Sequence, residues 1–383
     1  MSLLSTAPAN DYQTLTQRLL GINWLLLALV TGVAMAGVAM LYSAGEGSFE
    51  PWASRHAMRY AMCAVLMLTV AVIDLRLILK LAYPVYFLTL ALLIGVEAMG
   101  SIGMGAQRWI DLGLIRIQPS ELMKIAIVVA LARYFHGCTH LDLGKLTMMI
   151  PPLLLILAPV ALVLKQPDLG TASMLGIGAA AVFFVAGVRV WMFGIAFAAF
   201  AAAAPLAWTV LHDYQRQRIL TFLEPESDPL GSGYHILQSK IALGSGGLLG
   251  RGFMQGTQSH LSFLPEKQTD FIFTMLAEEF GLVGGLTLLA LYLMVVAFCV
   301  AIAIRARNQF GRILAFGVAF TLFLYVFINI GMVMGLLPVV GVPLPLISYG
   351  GTAMMTAMIG IGLVMNVYIN RDLRIGRRAD ESG

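Results

Sequence analysis

A stretch of 58 residues without a charged side chain lies between Arg312 and Arg371. A membrane-spanning helix needs about 20 apolar residues, so this stretch predicts two crossings. Pro338, Pro343 and Pro345 place a bend between them, because proline interrupts a helix. The whole chain of 383 residues is 59% hydrophobic and 11% charged. A soluble domain has about 25% charged residues, which argues against soluble enzymes, disordered proteins and nucleic-acid binders.

Ten apolar stretches predict an all-α polytopic membrane protein with about ten transmembrane helices. The first is too long for a signal-peptide core of about 7–15 residues, so we expect it to be retained. The predicted spans are 22–42, 56–73, 77–99, 119–135, 146–164, 169–188, 190–211, 271–304, 313–337 and 349–370. The predicted organisation is an N-terminal segment 1–21, one membrane domain 22–370 and a tail 371–383.

Loop charges predict the orientation. With the N-terminus inside, 13 of the 24 Lys and Arg residues fall on the cytoplasmic side and 5 on the short outer segments. Basic residues favour the cytoplasm, so both termini are predicted to be cytoplasmic in a plasma membrane. The loop 212–270 then lies outside, and we expect an ordered lid that carries chemistry, since long loops in compact folds are usually functional or disordered. Helical apolar spacing over 234–249 predicts a short surface helix within it.

Glycines and cysteines indicate structure rather than chemistry. The segment 244–252 lacks the ending of a phosphate-binding loop and is predicted to be a flexible turn. The spacings Gly281–Gly285 and Gly331–Gly335 predict close helix packing. The three cysteines lie far apart without metal-ligand spacing, so neither a disulfide framework nor a zinc site is expected.

Ionisable residues at membrane depth need a partner or a purpose. Glu121 and Lys124 share one helix face and form either a structural ion pair or part of a polar cavity that meets substrate. Lys165, Gln166 and Asp168 recur in an outer turn, as interfacial turn residues or as site residues. The same alternatives apply to the outer interface, where Trp109 is an aromatic anchor or a site residue and Arg108 can grip a phosphate. These residues are read from the printed sequence.

The sharpest local feature runs from Leu264 to Phe273, where a charged loop enters span eight. Asp270 is either the N-cap of that helix or a partly desolvated general base beside Glu266 and Lys267. Glu278 and Glu279 follow inside the span. They either line the same cavity or form hydrogen bonds within the bundle.

Five segments together resemble the SEDS family (shape, elongation, division and sporulation proteins). The longest runs from Asn329 to Ala353 and contains Gly-Leu-Leu-Pro and Ile-Ser-Tyr-Gly-Gly. The others are Gln107–Asp111, Gln118–Lys124, Lys165–Thr171 and Pro265–Phe271. They occur in the family's order and cover the chain from the first span to the last. Lys267-Gln268 indicates the rod-shape branch, since the division branch usually has Ala-His there.

The resemblance implies a peptidoglycan glycosyltransferase that polymerises lipid II at the outer face of the plasma membrane. It also implies a class B penicillin-binding protein as crosslinking partner. It assigns Asp270 as the essential loop aspartate, Glu121 and Lys124 as the cavity pair, and Trp109 as the outer-interface tryptophan, while Ser348 falls within its signature as a cavity residue. Cations near the leaving pyrophosphate should stabilise the transition state. The candidates are Arg108, Lys124, Lys165, Arg216, Arg218 and Lys267, with Asp168 beside them.

Two other functions stay open at this point. A flippase that moves lipid II would also suit ten spans and a buried ion pair, whereas a structural scaffold would not need the Asp270 loop. No cofactor is predicted with certainty. A divalent cation, Mg²⁺ or Mn²⁺, stays open, although the sequence shows no acidic cluster with ligand spacing.

Overall fold

The computed structural model describes residues 14–103, 106–111, 113, 116–139, 142–210, 213–224, 232–257, 267–373 and 375–376. Ten helices of 18 residues or more stand in this part of the chain, at the ten predicted positions. They are α2 (Trp24–Ala44), α3 (Trp52–Val72), α4 (Leu75–Met99), α5 (Pro119–His136), α6 (Leu146–Lys165), α7 (Leu169–Ala186), α8 (Val190–Val210), α11 (Ile272–Arg305), α12 (Gln309–Val333) and α13 (Gly351–Ile369).

Three further helices are shorter, namely α1 (Leu15–Leu20), α9 (Asp213–Leu223) and α10 (Ser232–Ser245). Among the described residues, seven of the long helices are apolar and long enough to cross a membrane by length and composition. The helical membrane fold is therefore confirmed, and the number of ten crossings stays a prediction. Many large apolar side chains are exposed on these helices, including Phe197 and Leu293, as expected for surfaces that face lipid.

Four long helices begin at an Asn or Asp whose side chain accepts a hydrogen bond from the first turn. These caps are Asn23, Asp74, Asp168 and Asn308. Such a cap satisfies one of the amide groups that a helix start leaves without a partner. These caps fix where the four helices begin.

The core of the bundle is built from α5, α12 and α13, whose side chains are buried over most of their length. The helices α4, α6 and α8 lie at the periphery and expose many of their apolar residues. The helices α3, α5, α7, α11 and α13 begin at the same end of the bundle, where α2, α4, α6 and α12 terminate. This end is called the site end below.

A small antiparallel sheet lies between α4 and α5, and the all-α prediction did not include it. Its strands are β1 (Ser101–Gly103), β2 (Ala106–Asp111) and β3 (Arg116–Ile117), in the order β1-β2-β3. Trp109 pairs with Ser101, and Asp111 pairs with Arg116. The strands are too short for the alternation of apolar and polar residues to stand out in the sequence.

The helix α11 is broken at Gly281, where the backbone has φ 65° and ψ −161°. An added Cβ at Gly281 would lie 2.3 Å from the nitrogen of Gly250, so two backbones meet there. Gly335 likewise ends α12 in a left-handed conformation, with φ 71°. The prediction that both glycine spacings pack helices together is therefore wrong for these two glycines, because each sits at a helix end or break.

The predicted lid is partly helical: α10 confirms the short helix predicted over 234–249, and α9 is a second helix that was not predicted. Buried Ser239 of α10 contacts Thr274 of α11 at 2.8 Å and donates to the Val333 carbonyl at 2.8 Å. The glycine turn that follows is tied to α11 by backbone hydrogen bonds from Arg251 to Glu278 and from Gly252 to Glu279. The part of the loop over 232–257 is therefore packed on the bundle, whereas Glu266 falls outside the described residues.

Candidate active site

Asp270 lies in a turn over residues 267–271 that leads directly into α11. Phe271 is the N-cap of this helix, so Asp270 does not occupy the N-cap position, contrary to the helix-cap alternative. Asp270 is partly buried, as suits a carboxylate that a substrate must reach.

Three successive carbonyls of this turn each accept a hydrogen bond from a residue of α12 or of the segment that follows it. The Tyr349 amide donates to Gln268 at 2.8 Å, the Ser348 hydroxyl donates to Thr269 at 2.6 Å, and Asn329 donates to Asp270 at 3.0 Å. Ser348, predicted to line the substrate cavity, therefore holds the backbone of the Asp270 turn. Backbone fixed at three consecutive residues leaves the Asp270 side chain little freedom other than its own rotation.

The segment after α12 forms a wall beside the Asp270 carboxylate. An added Cβ at Gly341 would lie 3.4 Å from Asp270 Oδ2, and Gly341 has φ 71°, a conformation that favours glycine. On the other side of this wall, an added Cβ at Gly170 of α7 would lie 2.9 Å from the Val340 carbonyl oxygen. The glycines let α7, this wall and the Asp270 turn approach closely.

Glu121 and Lys124 form the predicted ion pair near the start of α5. Their side chains are 5% and 2% exposed, and Lys124 Nζ lies 2.6 Å from Glu121 Oε1. Tyr325 of α12 joins both residues, because its hydroxyl donates to Glu121 Oε2 and accepts from Lys124 Nζ at 2.9 Å. The Lys124 ammonium also lies 4.2 Å from the centre of the Tyr325 ring. Burial of two charges requires such partners.

The helix α12 links this pair to the Asp270 turn. Tyr325 and Asn329 are four residues apart, so they lie on one helix face, one turn from each other. Tyr325 contacts Glu121 and Lys124, and Asn329 contacts Asp270. Two regions far apart in sequence are therefore brought together at the site end.

The turn between α6 and α7 lies beside them and is held by Arg108 of β2. Arg108 donates to the carbonyls of Gln166 at 3.1 Å and Pro167 at 2.6 Å, and its Nη1 lies 3.7 Å from Asp168 Oδ2. Asp168 is the N-cap of α7 and lies within electrostatic range of Tyr325. The interfacial-turn interpretation of Asp168 agrees with this geometry, and Arg108 is engaged with that turn.

The remaining predicted site residues have partners of their own. Exposed Lys165 pairs with Glu97 at 3.0 Å, and buried Lys267 lies 3.7 Å from the exposed carboxylate of Glu46. Arg216 donates to the carbonyls at the end of α8. Two others are placed on neighbouring elements, Arg218 on α9 and partly buried Trp109 on β2.

The two glutamates of α11 form hydrogen bonds within the bundle. Glu279 accepts from Ser43 of α2, and Glu278 accepts from Thr257 at 3.3 Å. Both glutamates are buried, with at most 1% exposure. This geometry favours the second of the two alternatives, a structural role next to the break at Gly281.

The hairpin of β2 and β3 carries an aspartate whose negative charge is stabilised by hydrogen bonds. Asp111 accepts from the Gly113 amide at 2.9 Å and from Arg116 at 2.9 Å. These hydrogen bonds lower the pKa of the exposed Asp111 carboxyl below its usual value. In the part of the chain that the structure describes, no group of three or more His, Cys, Asp or Glu side chains could hold a metal ion.

Sequence reasoning missed Tyr325 and Asn329, which are both uncharged. Each is a single polar group in an apolar helix, and both are buried, with Asn329 fully so. A polar group at that depth needs hydrogen bonds within the protein, which is the signal that could have found them. That signal would have identified the two residues but not their hydrogen-bond partners.

Comparison with known proteins agrees with this arrangement. Residues 17–373 match the family of cell cycle proteins that contains FtsW, RodA and SpoVE. The peptidoglycan glycosyltransferase MrdB of Escherichia coli K12 is 50% identical over 314 residues, which covers 82% of this chain and 84% of that protein. The peptidoglycan glycosyltransferase RodA of Treponema pallidum is 32% identical, over 90% of this chain and 97% of that protein.

Solved structures give the same result. A chain from a peptidoglycan synthase complex, described for its coordination of polymerization and crosslinking, superposes with a TM-score of 0.81 at 32% identity, over 92% of this chain and 99% of that one. The crystal structure of Thermus thermophilus RodA superposes with a TM-score of 0.69 at 28% identity, over 91% and 97%. The chain is therefore a multi-pass membrane protein that belongs to the FtsW/RodA/SpoVE family, the SEDS family.

Proposed function

We propose that this protein is a peptidoglycan glycosyltransferase that polymerises lipid II for cell elongation and rod shape. Its relatives at 50% and 32% identity are named as peptidoglycan glycosyltransferases. The observation that carries the mechanism is the placement of Asp270, held at three backbone carbonyls and excluded from the N-cap position. A rigidly positioned, partly buried carboxylate is what a general base requires.

In the proposed reaction, Asp270 accepts the proton of the acceptor's 4-hydroxyl as that oxygen attacks the anomeric carbon of the donor. The new glycosidic bond forms while the bond from the anomeric carbon to the undecaprenyl pyrophosphate breaks. The leaving group departs with the electron pair, and the proton stays on the Asp270 carboxyl. Removal of a proton by a positioned base typically contributes about 10²–10⁴-fold.

Negative charge builds on the pyrophosphate, and cations at the site end would stabilise it. Lys124 is the best placed, because α12 connects it to the Asp270 turn through Tyr325 and Asn329. Arg108 lies on the neighbouring turn, with its side chain 24% exposed. Lys165, Lys267, Arg216 and Arg218 stay secondary candidates, with Trp109 at the interface.

A divalent cation remains a separate hypothesis for this reaction. The described residues offer no cluster of three or more acidic, His or Cys ligands, so no step here depends on a metal. Polymerisation in the presence of a chelator, followed by addition of Mg²⁺ or Mn²⁺, tests the requirement directly.

The partner of this enzyme is a penicillin-binding protein, proposed to be the class B transpeptidase of the elongation complex. Support comes from the synthase complex whose chain superposes on 92% of this one. The location is a bacterial plasma membrane with both termini in the cytoplasm, which rests on the loop charges. A reporter fused within 225–235 should read external. A cytoplasmic result would contradict the proposal, because the substrate is displayed outside.

The flippase alternative is not favoured. The relatives at 50% and 32% identity carry a polymerase name, and the polar groups described above gather at one end of the bundle. A flippase needs access to its site from both sides of the membrane. Transport of lipid II across a reconstituted membrane, without formation of polymer, would restore the flippase alternative.

The test compares lipid II polymerisation by the wild type and by Asp270→Asn, each purified with its partner. Asn cannot accept the proton, so a loss on the order of a hundredfold or more is expected. Asp74→Asn is the matched control, because Asp74 caps α4 at the opposite end and Asn caps about as well as Asp. Comparable polymer from Asp270→Asn and the wild type would show that Asp270 is not the base.

A further inference from the structure

Asn329 is a fully buried amide in the middle of an uncharged stretch of the sequence. Its Nδ2 donates two hydrogen bonds, to the Asp270 carbonyl at 3.0 Å and to the Val342 carbonyl at 2.7 Å. Both partners are acceptors, so only the NH₂ side of the amide can face them. One side chain therefore ties the turn before α11 to the segment after α12.

These two bonds hold the two backbone segments that meet at the Asp270 carboxylate. The first holds the backbone that carries it, and the second holds Val342, the neighbour of Gly341. Gly341 is the wall residue whose added Cβ would lie 3.4 Å from Asp270 Oδ2. Ser348 and Tyr349 hold only the preceding carbonyls of Thr269 and Gln268. Asn329 is thus the side chain that fixes the aspartate against its wall.

The same residue sets the distance from the base to the buried ion pair. Asn329 lies one helical turn from Tyr325, which contacts Glu121 and Lys124. A helix is stiff over one turn, so a side chain that clamps Asp270 to α12 also fixes it relative to the pair. Displacement of a catalytic group by about 1 Å can cost about a hundredfold in rate.

We propose that Asn329 is a positioning residue for glycosyl transfer, holding Asp270 against Gly341 and in register with the Tyr325–Glu121–Lys124 group. This inference rests on the proposed function of Asp270. Asn329 itself takes no part in proton transfer. Its loss therefore lowers the turnover of bound substrate more than the binding of substrate.

The alternative is that Asn329 is only a buried amide that stabilises the fold. The chain offers a matched control in Asn366 of α13, which is also fully buried. Its Nδ2 faces three carbonyls, those of Val70 at 3.0 Å, Ala71 at 3.1 Å and Ile73 at 2.5 Å, at the end opposite to the site. Loss of either amide leaves buried carbonyls without donors, which costs stability in both places.

The experiment uses Asn329→Asp, Asn329→Leu, Asn366→Asp and Asn366→Leu, each purified with the partner. Asn329→Asp is nearly isosteric and turns an oxygen towards both carbonyls, and Leu removes the donors altogether. For the Asn329 variants we expect kcat for lipid II polymerisation to fall about a hundredfold with KM changed less than about threefold. The Asn366 variants should lose thermal stability and keep the kcat of the folded enzyme.

Hydrogen–deuterium exchange provides a measurement that does not depend on activity. Exchange over 268–274 should rise in the Asn329 variants, whereas in the Asn366 variants it should rise over 70–74. If Asn329→Leu does not fold, Asn329→Asp and this exchange pattern carry the test. Normal kcat in a folded Asn329→Asp, or unchanged exchange over 268–274, would overturn the inference.

Asp270→Asn in the same assay separates the two proposals. An inactive Asp270→Asn beside a fully active Asn329→Asp would defeat the positioning role and leave the base in place. An active Asp270→Asn would defeat both, because Asn329 acts through Asp270. Loss in Asp270→Asn and in both Asn329 variants, with the Asn366 variants active, is the expected outcome.

Discussion

Substitution of Glu121 and Lys124, singly and together, separates a structural ion pair from a substrate-binding one. Glu121→Gln leaves the Lys124 ammonium without its carboxylate, and Lys124→Met leaves the Glu121 carboxylate without its ammonium. The distance of 2.6 Å and the exposures of 2% and 5% mean that neither charge can turn to solvent. Each single variant therefore strands a buried charge, and the double variant removes both.

The expected magnitudes follow from that burial. Removal of one partner from a buried pair costs about 3–5 kcal/mol of stability, whereas replacement of both is often nearly neutral. Tyr325→Phe removes a hydroxyl that joins both charges, and hydrogen bonds to charged groups contribute about 1.5–3 kcal/mol. Thermal stability should thus fall most in the two charge variants, less in Tyr325→Phe, and recover in Glu121→Gln/Lys124→Met.

The assay measures thermal stability and lipid II polymerisation on the same purified complexes. If the pair meets the substrate, the double variant regains its stability and stays inactive, because its cavity has lost the cation and the carboxylate. Asp74→Asn, at the far end of the bundle, reports the background variation of both measurements. Recovery of polymerisation together with stability in the double variant would refute a substrate-binding role and leave a purely structural pair.

Two further predictions concern the break in α11 and the outer hairpin. Gly281→Ala should cost on the order of 2–5 kcal/mol, from a left-handed alanine and a Cβ at 2.3 Å from Gly250, while Gly285→Ala, whose Cβ would meet Phe273 at 3.5 Å, should be tolerated. Equal thermal stability of the two variants would contradict this account. Asp111→Asn should leave the acid limb of the pH–rate profile unmoved, because hydrogen bonds lower the pKa of Asp111. Its carboxylate therefore stays charged down to below about pH 3.9, so its own titration cannot produce a limb that lies above that pH. A shifted limb would assign the titration to Asp111.

The helices were predictable from sequence because hydropathy and capping act locally. Each of the ten stretches became a helix whose start agrees with the prediction to within a few residues, since a run of apolar residues has few alternatives in a bilayer. The prolines at 338, 343 and 345 correctly marked a non-helical segment. The interior of that segment was not predictable, because its path depends on Gly341 meeting Asp270 and Gly170 meeting Val340.

The site was predictable in its charged members and not in its geometry. Glu121 and Lys124 stood out because a charge at membrane depth is costly, and Asp270 stood out because a charged loop runs into the eighth span there. Tyr325 and Asn329 did not, since an uncharged polar residue in an apolar helix has many ordinary explanations. The packing interpretation of Gly281 failed because α11 breaks there, where the turn at 246–252 forms backbone hydrogen bonds with it. The helix-cap interpretation of Asp270 failed because α11 begins one residue later, with Phe271 as its N-cap.

The cost of burying polar groups explains where the charged and the neutral side chains of this site lie. The charged pair sits in the core, where Tyr325 satisfies both partners, and Asp270 is partly buried just before α11 begins. The backbone of the Asp270 turn is held by neutral donors, namely Asn329, Ser348 and the Tyr349 amide. Neutral donors fix a backbone without themselves adding a charge that would shift the proton affinity of a base, which suits the role proposed for Asp270.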